Sequence, residues 1–174
     1  NAIGENVDYR QVEIQPQGEE VIVDLKASSL NRRDLWIQEG KYAKIRLPCI
    51  PGSDGAGQYE GRDVLLLPTM HWGNSQAFQS MQFEILGMPH HGCCAEKIAV
   101  LPSLIYPMPG HLEYPEAAAL PLSGLTAWRA LMTQAKAKPG QKILITGVGG
   151  GVASFVLQFA VAHGMDVYVT SGTD

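Results

Sequence analysis

The chain has 174 residues, of which 45% are hydrophobic and 17% are charged, and its formal net charge at pH 7 is −4. These values are ordinary for a globular protein of one or two domains, and the negative charge excludes a general electrostatic attraction to nucleic acid or to an anionic membrane surface. The three cysteines are too few for a disulfide framework, which predicts a reducing compartment and a cytoplasmic location.

The first part of the chain has the pattern of an all-β domain. Alternating or apolar runs predict strands at Val21–Ala27, Val64–Leu67 and Ala95–Leu101. Between the first two runs, Asn31–Gln38 has apolar residues at helical spacing and predicts one short turn of helix that Gly40 closes. Short strands separated by proline and glycine clusters favour a small barrel.

A proline-rich segment with Pro102, Pro107 and Pro109 predicts a linker after the strands. Beyond it, Pro115 opens a predicted helix at Glu116–Leu120, and a second helix is predicted at Ser123–Thr133. The change from strand patterns to helix patterns predicts a second domain.

The stretch from Lys142 to Gly172 predicts strand, glycine turn, helix and strand. The predicted strands are Lys142–Thr146 and Asp166–Thr170, and the predicted helix is Val152–Ala162. The glycines of the turn are Gly147, Gly149, Gly150 and Gly151. Glycine lets the backbone approach a ligand, and the N–H groups that open a helix attract an anion. The pattern therefore predicts a dinucleotide pyrophosphate site in a βαβ unit.

Two other interpretations of this stretch stay open. Val152 stands where the third glycine of the dinucleotide pattern is usual, so the unit could be a buried crossover without a ligand, or the close packing could use Gly151 or Ala153. Ile143–Ala162 is also uncharged and long enough to span a bilayer, but its glycines and the lack of flanking basic clusters favour a βαβ unit.

Several segments, taken in order, resemble the medium-chain dehydrogenase/reductases, and specifically their zinc-independent, quinone-oxidoreductase-like branch. The matching segments are Ser28–Tyr42, Pro51–Gly57, Gly92–Val100, Glu116–Leu131 and Ile145–Ala160. The resemblance implies a mixed β and α/β fold, with a GroES-like β-barrel on the substrate side at residues 1–112. A partial Rossmann (doubly wound) domain would follow at residues 113–174, with the active site in the cleft between the two domains. The connection Gln58–Asp63 is shorter than the family's hairpin, which leaves the closure of the barrel open.

The resemblance also indicates whether the chain carries the residues that bind zinc in some relatives. Zinc-dependent relatives carry a cysteine where this chain has Asn31, and a His-Glu pair where it has Ser53 and Asp54. Asparagine and serine are poor zinc ligands, so we expect no metal. The run from His90 to Cys94 also favours a free thiol or adventitious metal over a functional site, because neighbouring side chains on a strand point to opposite faces.

Asn31 and Tyr42 are the candidate catalytic residues. The Asn31 amide can donate a hydrogen bond to a carbonyl oxygen, and Tyr42 stands where enoyl-reducing relatives carry a tyrosine implicated in proton donation. The alternatives are that Asn31 caps a turn and that Tyr42 is a packed loop aromatic. Thr126 stands where the family approaches the nicotinamide, or it is a helix hydroxyl bonded to its own backbone.

The end of the second predicted strand indicates the cofactor. Sites for NAD place an acidic residue there, whereas this chain has Thr170, Ser171, Gly172 and Thr173, which tolerate a 2′-phosphate. NADPH is therefore favoured, although Asp174 could be the acid if the strand is longer. The candidate cofactor-binding residues are Thr126, Gly147, Gly149, Gly150, Gly151, Val152, Ser171 and Gly172.

Together these features predict an NADPH-dependent oxidoreductase that transfers a hydride to a quinone, an enone or a related activated carbonyl without zinc. The alternatives are a non-catalytic NADP-binding module with a structural or regulatory role, and a zinc alcohol dehydrogenase with displaced ligands. The expected partners are a small-molecule substrate and a second copy of the chain, with no nucleic acid and no membrane. The residues from Lys142 to Asp174 make only half of a Rossmann sheet, so we expect a longer protein, and self-association of these 174 residues alone.

Overall fold

A computed structural model describes residues 7–172 of the chain, so the predictions for Thr173 and Asp174 lie outside the described residues. The contacts divide the chain into two compact units. The first comprises the residues up to Ser75 together with Gln79–Pro121, and the second comprises Gln76–Phe78 and the residues from Leu122 onward. The predicted domain boundary after residue 112 stays a prediction.

The first unit contains eight strands and two short helices, as described within residues 7–121. The strands are β1 (Val21–Ser29), β2 (Asp54–Tyr59), β3 (Arg62–Leu66), β4 (Thr69–Met70), β5 (Glu84–Leu86), β6 (Pro89–His90), β7 (Lys97–Val100) and β8 (Ile105–Pro107). The helices are α1 (Arg32–Gln38) and α2 (Tyr114–Ala118). The predicted strands and both helices are thus confirmed, but the proline-rich segment is more than a linker because it contains β8 and a 3₁₀ turn at Pro102–Leu104.

Five strands form one sheet in the order β7-β1-β2-β3-β8, with every neighbouring pair antiparallel. The short connection between β2 and β3 is a two-residue hairpin, since Tyr59 pairs directly with Arg62. Glu60 and Gly61 both have positive φ, at 49° and 73°, which is the conformation of the tight turn that matches strand twist. The hairpin thus joins the strands with no missing segment, whereas no ladder joins β7 to β8 within residues 7–172.

The core of the first unit lies on one face of this sheet. Its buried members are Val23, Val64, Leu66, Leu86, Cys93, Ile98, Val100 and Leu104. On the other side, Ala117 and Ala118 of α2 pack against Ala56 of β2, and these small side chains let the helix approach the sheet closely. Gly57 is required beside the bulge in β1, because a Cβ there would lie 2.1 Å from the carbonyl oxygen of Asp24.

The second unit is built around the predicted βαβ element, which is confirmed. The predicted helix before this element begins at Pro121 as α3 (Pro121–Trp128) and continues as a π-helical turn through Arg129–Gln134. Strands β9 (Lys142–Ile145) and β10 (Asp166–Val169) pair in parallel, and α4 (Gly151–Ala162) connects them.

Buried side chains of this unit cover one face of the short sheet. Leu131, Ala160 and Met165 are buried there, with Ile143 and Val167 packed against them. On the opposite face, Leu144 and Tyr168 pair in register and are 66% and 55% exposed. None of the helices described within residues 7–172 is long and apolar enough to cross a membrane.

Candidate functional site

The glycine turn of the second unit is fixed to the end of β10 by two hydrogen bonds. The N–H of Val148 donates to the carbonyl oxygen of Thr170 at 3.0 Å, and the N–H of Gly147 donates to the Thr170 hydroxyl at 3.2 Å. Gly147 has a φ of 65°, a conformation that favours glycine. These hydrogen bonds join the turn to the end of β10.

Open space surrounds the glycines that lead into α4. A Cβ built on Gly147 or on Gly149 would meet no other heavy atom within 4 Å. Gly150 is the N-cap of α4 and brings no side chain to the helix N-terminus, so the N–H groups of the first turn have no side-chain cap. This is a cradle of bare backbone with a helix N-terminus behind it, and it suits a diphosphate.

Gly151 brings α4 close to α3. A Cβ on Gly151 would lie 2.9 Å from the hydroxyl oxygen of Ser123, whereas Val152 is exposed at the third position of the pattern. This contact joins two helices, so the choice between Gly151 and Ala153 for helix–strand packing stays a prediction. Gly150 and Gly151 are exposed beside the cradle, as are Ser171 and Gly172 beyond β10.

Thr126 is held by its own helix. Its hydroxyl donates a hydrogen bond of 2.7 Å to the carbonyl oxygen of Leu122, one turn earlier. This hydrogen bond matches the alternative interpretation of Thr126, in which the hydroxyl is bonded to the backbone of its own helix.

In the first unit, Asn31 is tied to a buried carboxylate. Its side-chain Nδ2 donates to Oδ2 of Asp54 at 2.8 Å, and Asp54 is fully buried. The Ser29 hydroxyl donates to the same carboxylate oxygen at 3.2 Å. Asn31 is also the N-cap of α1, with its backbone N–H donating to the Asp34 carboxylate at 2.7 Å, so it both caps the helix and carries an oriented amide.

Tyr42 lies against Arg33, a residue that the sequence analysis did not select. The phenol oxygen accepts a hydrogen bond from Arg33 Nε at 3.4 Å, and the guanidinium carbon lies 5.0 Å from the centre of the tyrosine ring. Arg33 also donates to Ser53 Oγ at 2.5 Å, so the chain brings Tyr42 and Ser53 to one side chain. The sequence shows two arginines in a row at the start of α1, and nothing local distinguishes the buried Arg33 from the exposed Arg32.

The positions at which the resemblance places a cysteine and a His-Glu pair in zinc-dependent relatives have other partners here. The Asn31 amide and the Asp54 carboxylate are bonded to each other, and the Ser53 hydroxyl accepts from a guanidinium. Of these three residues only Asp54 carries a sulfur, imidazole or carboxylate donor of the kind that zinc sites use, and a catalytic zinc site needs three protein ligands. Within residues 7–172, no group of three or more His, Cys, Asp and Glu side chains is arranged to hold a metal ion.

The run from His90 to Cys94 does not converge on one point. His90 pairs with Glu84 at 2.6 Å, His91 accepts the Ile50 N–H at 3.1 Å, and Cys93 is buried in the core. Burial raises the pKa of the Cys93 thiol far above its ordinary value, and the nearby Asp54 charge raises that pKa further. A buried thiol that stays protonated is a poor nucleophile and a poor metal ligand.

Comparison with known proteins gives consistent relatives. The alcohol dehydrogenase GroES-like domain matches residues 17–110. The zinc-type alcohol dehydrogenase-like protein YogA of Leptosphaeria maculans is 37% identical over 91% of this chain and 50% of its own length. The quinone oxidoreductase of Mus musculus is 32% identical over 91% of this chain and 46% of its own length.

Solved structures give the same relationship. An NAD-dependent alcohol dehydrogenase superposes with a TM-score of 0.86 at 30% identity, over 95% of this chain and 53% of that structure. The quinone oxidoreductase of Thermus thermophilus, described together with its NADPH complex, gives a TM-score of 0.75 at 28% identity, over 95% of this chain and 49% of that structure. The chain thus spans about half the length of these relatives.

Proposed function

Because the chain belongs to the medium-chain dehydrogenase/reductase family and carries its alcohol dehydrogenase GroES-like domain, we propose that the whole protein is an NADPH-dependent oxidoreductase. Its substrate would be a quinone, an enone or a related activated carbonyl compound, reduced without zinc. The open glycine cradle at Gly147 and Gly149 is the observation that carries this proposal, because it leaves room for a diphosphate at a helix N-terminus.

The choice of NADPH rests on the end of β10. Thr170 and Ser171 present hydroxyl groups at the place where an acidic residue would bind the ribose of NAD. The Thr170 hydroxyl accepts a hydrogen bond from the Gly147 N–H, so this uncharged side chain lies beside the glycine turn. The relatives include both an NAD-dependent alcohol dehydrogenase and a quinone oxidoreductase with NADPH, and the rates with NADPH and with NADH test the preference.

The bound cofactor would supply the hydride, and the residues of the first unit would manage the charge that this hydride creates on the substrate. The Asn31 amide, oriented by Asp54, would donate a hydrogen bond to the oxygen that becomes negative. The Tyr42 phenol would give its proton to the reduced substrate and regain one from water, which completes a two-electron reduction.

The Arg33 contact supports a mechanism without zinc. A guanidinium is always charged, and here its Nη1 lies 2.5 Å from the hydroxyl of Ser53, where zinc-dependent relatives are expected to carry a histidine. A dication beside it would be repelled electrostatically, while the Asn31 amide is a weak ligand for zinc. We therefore assign stabilisation of the oxyanion to hydrogen bonds.

The test is turnover by the whole protein, followed by the loss of nicotinamide absorbance with a panel of quinones and enals. Purified wild type should oxidise NADPH faster than NADH and contain no stoichiometric zinc. Tyr42→Phe should lower kcat by roughly 10²- to 10⁴-fold, the range for a lost general acid, and Asn31→Ala should also lower it. No turnover with any substrate, or activity that depends on zinc, would contradict the proposal.

A non-catalytic NADP-binding module is the second candidate. It is favoured by the Thr126 hydroxyl, which is bonded to its own helix although the family resemblance implies a place near the nicotinamide. Binding of NADPH without turnover, unchanged by Tyr42→Phe, would select this alternative.

A further inference from the structure

We propose that Arg33 is a positioning residue for the reduction and acts through Tyr42. The proposal rests on the function proposed above, and it adds a residue that the sequence analysis did not select. Arg33 lies on α1, two residues after Asn31. Its side chain reaches Ser53, just before β2, and Leu86 of β5.

The Arg33 side chain is only 7% exposed, which is unusual for a charged residue. Burial of a charge is costly unless hydrogen bonds replace the lost water, and here they do. Nη1 donates to Ser53 Oγ at 2.5 Å and to the carbonyl oxygen of Leu86 at 2.8 Å, and Nη2 donates to the carbonyl oxygen of Met88 at 3.2 Å. These three acceptors lie on two separate segments, so they fix both the position and the plane of the guanidinium.

Tyr42 also contacts this fixed group. Nε points to the phenol oxygen at 3.4 Å, and the guanidinium lies over the ring at 5.0 Å from its centre. The segment that carries Tyr42 has no helix or strand from Lys41 to Ser53, so its own backbone ladder does not hold the ring. Arg33 therefore supplies the contact that orients both the face and the hydroxyl of Tyr42.

Lysine could not take this role. The fork of the guanidinium makes the bonds to Ser53, Leu86, Met88 and Tyr42 from one rigid plane, whereas an ammonium has a single nitrogen on a flexible stem. Arg33→Lys keeps the charge and loses the geometry, so it separates positioning from simple electrostatics.

A double-mutant cycle in the whole protein tests the proposal. Arg33→Met should lower kcat by up to about 100-fold, as expected for a misplaced catalytic group, and should change KM by less than about twofold. In a Tyr42→Phe background, the same substitution should change kcat by less than about twofold, because the group it orients is already absent. Arg33→Lys should lower kcat almost as much as Arg33→Met does.

The control is Arg32→Met, which removes the same chemical group from the exposed neighbour on α1 and should leave kcat and KM unchanged. Binding of NADPH, measured by nicotinamide fluorescence, should be the same in all variants. If Arg33→Met does not fold, Ser53→Ala removes one anchor of the guanidinium, and its loss of kcat should also vanish in the Tyr42→Phe background.

The outcomes separate the two proposals. If the wild type turns over substrate and the double mutant loses kcat by the product of the two single-mutant factors, the role of Arg33 is overturned and the proposed function stands. An Arg33→Lys variant with full kcat would also overturn it. Absence of wild-type turnover would overturn both.

Discussion

Gly149 offers a substitution that separates ligand binding from folding. Its φ is not in the left-handed region, and a Cβ built there would meet no heavy atom within 4 Å, so Gly149→Ala is compatible with the protein alone. Replacing an unstrained glycine by alanine stabilises a protein by about 0.4–1 kcal/mol, because the unfolded chain loses freedom. Any loss of NADPH binding would then arise from the methyl group in the cradle and not from damage to the fold.

The expected effect on binding follows from what the cradle does. A methyl group between the backbone and a diphosphate lengthens or removes at least one hydrogen bond to a charged oxygen, and such a bond contributes about 1.5–3 kcal/mol. We therefore expect the Kd for NADPH to rise by roughly 10- to 100-fold. Gly147→Ala should weaken binding as well, but it should also cost about 1–2 kcal/mol of stability, because its φ of 65° strains an L-residue.

The assay is titration of the whole protein with NADPH, followed by nicotinamide fluorescence, together with thermal unfolding of each variant. Gly110→Ala is the matched control, since a Cβ there also meets nothing within 4 Å and the residue lies in the other unit. It should leave Kd unchanged and stabilise the protein by about 0.4–1 kcal/mol, as Gly149→Ala should. A Kd for Gly149→Ala within twofold of the wild type would refute the assignment of the cradle.

Further expectations concern the first unit and the isolated chain. Gly57→Ala should destabilise the protein by roughly 3 kcal/mol or more, because its Cβ would overlap the Asp24 carbonyl, and the fall in Tm measures this. The Tyr114 hydroxyl holds the pKa of Asp63 below its ordinary value, so that contribution to stability is present at neutral pH and is lost as the pH falls through the folded pKa. Tyr114→Phe should raise this pKa, and an NMR titration that shows no change would contradict the account. Cys93 should react with a disulfide reagent only after unfolding, since burial raises its pKa, and mass mapping of fast native labelling there would contradict this. The 174 residues alone should self-associate through the exposed face of β9 and β10, and a cooperative monomer in sedimentation would refute this expectation.

Elements with strong local signals were predictable. The hairpin between β2 and β3, by contrast, was not recognised, although Glu60 and Gly61 form its turn, because the connection was judged only by its length against the family's longer hairpin. The strand β8 was hidden in a proline-rich segment, since Pro107 stands at the edge of the sheet and proline is tolerated on an edge strand.

The candidate site was also only partly predictable from the sequence. Asn31 and Tyr42 were chosen by resemblance, and the structure adds what holds them, namely Asp54 and Arg33. A choice between Arg32 and Arg33 requires the direction of a short helix relative to the sheets, and a seven-residue helix has too few apolar positions to define that direction.

By itself, the sequence determined the βαβ element and its glycine turn, because backbone freedom and helix initiation depend on residues that are neighbours in the chain. Only the tertiary structure decided that Gly147 and Gly149 border open space, that Gly151 packs on Ser123, and that one of two adjacent arginines is buried. The physical reason is distance along the chain: Asn31 meets Asp54, and Arg33 meets the carbonyl oxygens of Leu86 and Met88, only after the strands have paired.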